Sequence, residues 1–224
     1  MNDLNQLGGK AAALHRLSGA GFPVPAWFVI KPGESPQESV SRAAALSGEL
    51  FAVRSSAAGE DSAEHSFAGQ LESFLFVPRG EIPAKVEAVR ASGQSARVME
   101  YRRQRGLAGP PPEPAVIVQE MIDAECAGVA FSADPVSGRR DAAVVSAVPG
   151  LGTALVSGEA DADSFKVARD GVILESVIAA KLRAHRAAPG TVEGVAWEPV
   201  EHPGAACIQP ETVRQAAALA RKAE

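Results

Sequence analysis

Aromatic residues make up only 5% of this 224-residue chain, and Tyr101 is its one tyrosine. Stacking platforms for single-stranded nucleic acid are therefore poorly supplied. No long basic run offsets the formal net charge of −5, so a nucleic-acid partner has no electrostatic footprint here. Cysteine is scarce too. Cys126 and Cys207 lie far apart, with neither a CxxC nor a Cys/His spacing. That excludes a disulfide scaffold or a zinc site of familiar pattern, and leaves two reduced packing residues of a cytoplasmic protein. No window reaches the roughly 18 apolar residues that span a bilayer. The opening MNDLNQLGGKAAAL lacks the apolar core of a signal peptide.

What is present is a core. Hydrophobic residues reach 46%, enough for one large domain or two small ones. Ala11 to Leu17 is rich in helix formers, and Gly19 and Gly21 stop it. Pro23 and Pro25 force an extended path into the apolar run Ala26 to Ile30. A short helix over Glu38 to Leu46 precedes a strand over Leu50 to Arg54. After a long loop of small and polar residues, Leu71 to Val77 resumes a β-prone pattern. Pro83 can open a helix, and helical composition runs from Ala84 to Arg105 with a possible break at Gly93. Its second part carries Arg97, Arg102, Arg103 and Arg105, either a solvated face or the lining of an anion site.

Residues 106–114, GLAGPPPEP, form the clearest linker, since consecutive prolines favour an extended chain. Short apolar runs follow: Ala115 to Val118, Gly128 to Phe131, Ala142 to Val148 and Val172 to Leu174. Turn signals such as Asp134-Pro135 and Asp170-Gly171 separate them. A last helix starts near Pro210. Mixed α followed by mostly β predicts an α+β fold in two lobes, residues 1–114 and 115–224.

Several constellations could carry chemistry. Gly8-Gly9-Lys10 lacks the glycine and the hydroxyl residue of a P-loop. It remains a lysine at a glycine-to-helix junction, where backbone N–H groups favour anions. Arg54 closes a buried strand, and its fork can grip a phosphate or an acid such as Glu60, Asp61 or Glu72. Ser55, Ser56, Gly59 and Gly69 supply hydroxyls and backbone freedom around it. Glu60, Asp61 and Glu64 would repel a bare triphosphate, but could face magnesium or solvent. His65 is a candidate acid or base by residue type alone. Gln119, Glu120 and Met121 end an apolar strand, where backbone groups could read an adenine edge or simply reach solvent. Gly150-Leu151-Gly152, with Ser157-Gly158-Glu159, makes a second glycine loop of low specificity.

The motifs LGGKAAAL, GFPVP, FAVRSSAAGED, SFAGQLESFL, VQEMI, GVAFSADPVSG and GLGTALVSGEADADSF occur in the order found in one family. The chain resembles the N-terminal nucleotide-binding domain of the phosphoenolpyruvate synthase and pyruvate phosphate dikinase family. Rifampicin phosphotransferases and glucan, water dikinases are similar in this domain. The resemblance implies an ATP-grasp fold, two lobes closing on ATP and magnesium. It assigns Lys10 and Arg54 to the ATP phosphates, and the loop Ala57 to Gly69, with Gly59 and Gly69, to their cover. Ser55 and Ser56 belong to the arginine motif, and Gln119, Glu120 and Met121 to the hinge beside adenine.

It further implies phosphoryl transfer to a histidine on another domain or chain, then to pyruvate. Alternatives are a rifampicin-type acceptor, or a non-catalytic module that binds nucleotide or a partner. None of His15, His65, His185 or His202 sits in the context of the family's phosphorylated histidine. The family's acidic metal-binding motif and glutamine-x-arginine motif would follow Glu224. The expectation is therefore metal ligands outside the chain, no turnover by the chain alone, and an apolar edge that could drive self-association. The segments Lys31 to Leu50 and Pro78 to Arg105 look shorter than in the long synthases.

Overall fold

The computed structural model describes residues 7–57, 72–104, 109, 111–191 and 194–224. It is an α+β structure with antiparallel sheets. The chain divides into two compact units, Met1–Ile122 with Pro189–Gly194, and Asp123–Ala188 with Val195–Glu224. Among the described residues no helix is long and apolar enough to cross a membrane.

The first unit is built on a four-stranded sheet. Helix α1 (Gly8–Gly19) leads to strand β1 (Trp27–Ile30), helix α2 (Glu38–Ala44) and strand β2 (Leu50–Ser56). Strand β3 (Ser73–Pro78), helices α3 (Ile82–Ser92) and α4 (Ala96–Gln104) and strand β4 (Ala115–Glu120) follow. The strands lie in the order β1-β4-β2-β3, each pair antiparallel. Alternation along β2 sorts its side chains to two faces. Phe51 and Val53 join Ile30, Val86, Val89 and Val118 in the main core beneath α3. The other face meets α1, where Ala11, Val29, Ala115 and Ile117 form a smaller core with Leu14 and Trp27 against it.

β4 lies between β1 and β2, so the strand expected to open the second lobe belongs to the first unit's sheet, and the division falls after Ile122 rather than at the proline-rich segment. The reason is register: all six residues of β4 pair with Phe51–Ser56 on β2. Pro83 opens α3 as expected, in its first turn, and the helical stretch breaks after Ser92. Of the expected basic cluster, Arg103 is exposed and forks onto Glu100, while Arg105 lies outside the described residues.

The second unit holds strands β5 (Cys126–Phe131), β6 (Ala142–Pro149), β7 (Asp163–Ala168) and β8 (Ile173–Val177) as an antiparallel meander in that order. A short helix α5 (Thr153–Val156) sits between β6 and β7. Strands β9 (Arg183–Ala187) and β10 (Val195–Pro199) pair with each other. Helix α6 (Pro210–Lys222) lays Val213 and Ala217 on Val145, Phe165 and Val167. β7, β9 and β10 are absent from the apolar runs of the sequence because none is a continuous run. β7 alternates buried and half-buried residues along DSFKVA.

Candidate functional site

The first unit gathers polar groups on the α1 face of its sheet. Arg54 and Ser56 point to this face of β2, two residues apart. Gln119 stands on β4 opposite Ala52, which puts it on the same face, diagonal to Arg54. The Arg54 guanidinium donates to Gln119 Oε1 at 2.9 Å, and Gln119 Nε2 donates to the Pro25 carbonyl at 3.3 Å. Gln119 is buried, with 8% of its surface exposed.

The start of α1 is seated on the end of β2. The Ala11 N–H donates to Ser56 Oγ at 3.0 Å. Gly8 has φ +79°, and a Cβ there would stand 2.4 Å from the Ser56 carbonyl oxygen, so only glycine allows this approach. Three residues of one motif thus have distinct tasks: Gly8 permits the contact, Ala11 anchors it, and Lys10 rides between them. The first turn carries no acidic side chain, and its N-cap residue, Leu7, makes no side-chain cap bond. A cation in that turn opposes the helix dipole unless an anion is supplied.

Ser55 is not part of this group. Alternation turns it to the α3 side of the sheet, opposite Val116, where it is buried. Gly59 and Gly69, with His65, Glu60, Asp61 and Glu64, lie outside the described residues. At the end of β4, Glu120 N–H donates to the Ala26 carbonyl and Met121 N–H to the Leu50 carbonyl, both at 2.9 Å. Neither N–H is left to read a base edge. The Glu120 carboxylate accepts from Gly48 N–H at 2.8 Å and Ser47 Oγ at 3.1 Å. The Gly48 N–H holds this carboxyl below its ordinary range. Nothing local in the sequence pairs Gln119 with Arg54. Their meeting depends on the register of β4 against β2.

In the second unit the glycine loop is structural. Gly150, at φ +73°, would put a Cβ 2.2 Å from the His185 carbonyl oxygen, which accepts from Leu151 N–H at 2.9 Å. His185 Nδ1 meets Thr153 Oγ1 at 2.8 Å, and its ring packs on Trp197. Asp163 and Lys181 form a buried ion pair. Asp163 also accepts from the N–H groups of Ala179 at 3.1 Å and Cys207 at 2.9 Å, and Lys181 donates to the Ala179 carbonyl at 2.8 Å. Burial raises the Asp163 carboxyl, but Lys181 and the two N–H donors outweigh it and hold the group below its ordinary range. Burial and the neighbouring Asp163 push the Cys207 thiol up to about 12. Among the described residues no three His, Cys, Asp or Glu side chains converge as a metal site would require.

Comparison with known proteins agrees with this α+β arrangement. The family model of the pyruvate phosphate dikinase AMP/ATP-binding domain matches residues 34–224, which leaves Lys10 outside the matched stretch. A rifampicin phosphotransferase of Streptomyces sviceus is 43% identical over 65% of the chain and 17% of its own length. The prodigiosin synthesizing transferase PigC of Serratia marcescens is 33% identical over 97% of the chain and 28% of its own length. A phosphoenolpyruvate synthase of Aeropyrum pernix is 39% identical over 59% of the chain and 16% of its own length. The chain thus covers less than a third of each of these relatives. With its match running over most of its residues, the chain belongs to the pyruvate phosphate dikinase AMP/ATP-binding domain family.

Proposed function

We propose that this chain is the ATP-binding portion of a phosphoenolpyruvate-synthase-like phosphotransferase with an ATP-grasp fold. Lys10 and Arg54 hold the ATP phosphates, and the Ala57–Gly69 segment covers them. Adenine lies beside the Gln119–Met121 end of β4. The observation that carries this reading is the seating of the α1 start on β2 through Gly8, Ala11 and Ser56. That seating brings a helix start bearing Lys10 to the strand bearing Arg54, on one face of one sheet.

Phosphoryl transfer needs little covalent chemistry from the protein. It needs charge neutralised and the phosphoryl group held in line. A helix start without acids, a lysine and an arginine suit that work. The residues fit a nucleotide phosphate chain, but the described acids do not assemble into a magnesium site. Magnesium, when bound with ATP, would add further neutralisation. Its ligands would come from outside the described residues. The acceptor would be a histidine on another domain or chain, and then pyruvate. A rifamycin-type acceptor is the second reading, favoured by the 43% identity to a rifampicin phosphotransferase.

Calorimetric titration of the full chain with ATP and magnesium tests the proposal. Saturable binding should weaken by about tenfold or more in Lys10→Ala and in Arg54→Ala, the loss expected for a hydrogen bond to a charged group. Binding that survives both substitutions unchanged would remove these residues from the phosphate site. No binding at millimolar ATP would sink the nucleotide reading altogether.

A further inference from the structure

We infer that Gln119 is a positioning residue for Arg54, acting through its side chain on the phosphate end of the nucleotide rather than on the base. The inference rests on the proposed contact of Arg54 with phosphate. Its ground is the geometry of three neighbouring strands. Gln119 sits on the central strand β4, opposite Trp27 on β1 and Ala52 on β2. From there its amide spans the sheet. The oxygen accepts from Arg54 at 2.9 Å, and the nitrogen donates to the Pro25 carbonyl at 3.3 Å. Both ends of the amide are therefore engaged by the protein itself.

The consequence for Arg54 follows from its side chain. A guanidinium on four rotatable bonds has high rotamer entropy, and its value as a phosphate clamp depends on a fixed fork. Glutamine has length enough to reach it from a diagonal position two residues along the partner strand. A neutral acceptor suits the task better than a carboxylate. Glu or Asp at this position would bring a counter-charge that competes with phosphate, whereas an amide oxygen orients the fork and adds none. The Pro25 carbonyl fixes which way the amide faces, so its oxygen points to Arg54. Burial of Gln119 adds rigidity, because a buried amide that loses a partner leaves polar atoms unsatisfied.

A base-reading role predicts different behaviour. Were the Gln119 amide to contact adenine, its loss would weaken adenosine and ATP alike, independently of Arg54. A positioning role predicts that only ligands with phosphates respond, and only while Arg54 is present.

The test is a double-mutant cycle in the full chain, read by calorimetry with ATP and with adenosine. Gln119→Met conserves length and apolar volume while removing the acceptor. It should weaken ATP by about tenfold and leave adenosine unchanged. Arg54→Ala should weaken ATP at least as much. The double variant should match Arg54→Ala alone, because a positioning residue has nothing left to position. Trp27 fluorescence and thermal unfolding report whether the unit stays folded, and Gln119→Leu carries the same comparison if Gln119→Met unfolds. An effect of Gln119→Met that persists in the Arg54→Ala background, or that weakens adenosine equally, would overturn the inference. So would Gln119→Met without effect on ATP while Arg54→Ala is damaging. Arg54→Ala without effect on ATP is a separate failure, that of the phosphate contact itself.

Discussion

The two units solve the same structural problem and place their charge in opposite ways. Each is a four-stranded antiparallel sheet with a helix against it, α3 in the first and α6 in the second. In the second unit the charges close on each other. Asp163 and Lys181 are both buried, and they bond to neighbours in the same unit: Ala179, Cys207 and each other. In the first unit cations stand on one face beside a helix start that lacks acids, and a neutral amide is one of the groups that meet Arg54. Charge paired with charge fixes a fold. An amide beside a charge orients it without adding a counter-charge.

The largest test of this contrast is Asp163→Asn. Removing one member of a buried pair leaves Lys181 uncompensated, at a cost of about 3–5 kcal/mol. The chain's two tryptophans fall one in each unit, Trp27 in the first and Trp197 in the second, so Trp27→Phe and Trp197→Phe give a reporter for each. Unfolding followed by Trp197 should shift far more than unfolding followed by Trp27. Acid should act in the same direction. The Asp163 carboxyl is held below its unfolded value of about 3.9, so the unfolded chain takes up the proton first. Its stabilisation is complete above that value and is lost as pH falls through the folded one. Equal shifts at both reporters would erase the distinction between the units.

Much of this was legible in the sequence, and the exceptions share a cause. Short apolar runs such as AVIV and AAVVSAV announce β4 and β6, and Pro83 and Pro210 announce helix starts. β7 escapes that signal because half its residues are only half-buried, which makes alternation weaker than a run. The proline-rich segment suggests a division before β4, but its partners, β1 and β2, lie more than fifty residues earlier, and pairing at that distance leaves no local mark. Lys10 and Arg54 stood out as cations beside glycine or at a strand end. The distinct direction of Ser55 could have been read from period-two alternation. The link between Gln119 and Arg54 could not, because it depends on the register of β4 against β2.

A second comparison sets Gly8 against Gly150. Both hold positive φ, and a Cβ at either would collide with a carbonyl oxygen, of Ser56 and of His185 respectively. Gly8→Ala and Gly150→Ala should each destabilise their own unit by about 1–3 kcal/mol from backbone strain, with the clash added. Their functional effects should part. Gly8→Ala unseats the start of α1, so it should weaken ATP binding beyond its effect on stability and change Trp27 emission. Trp27 packs against the cluster that holds α1. Gly150→Ala should move Trp197 and leave ATP affinity near that of the parent. If Gly150→Ala weakened ATP as much as Gly8→Ala, the glycine loop of the second unit would belong to the nucleotide site as well.

The smallest effect concerns Cys207. Its thiol is pushed up to about 12 by burial and by Asp163, and burial raises that of Cys126 as well. Thiolate is the reactive form, so iodoacetamide at pH 8 should modify the folded chain slowly at both positions and the unfolded chain quickly. Asp163→Asn removes the negative charge beside Cys207, so its alkylation should quicken relative to Cys126 in whatever fraction of the variant remains folded. That selective change is the signature of a charge confined within its own unit. Rapid modification of Cys207 in the parent chain would mean that the Asp163 group is open to solvent, and the second unit's polar core would then resemble the first unit's face instead of contrasting with it.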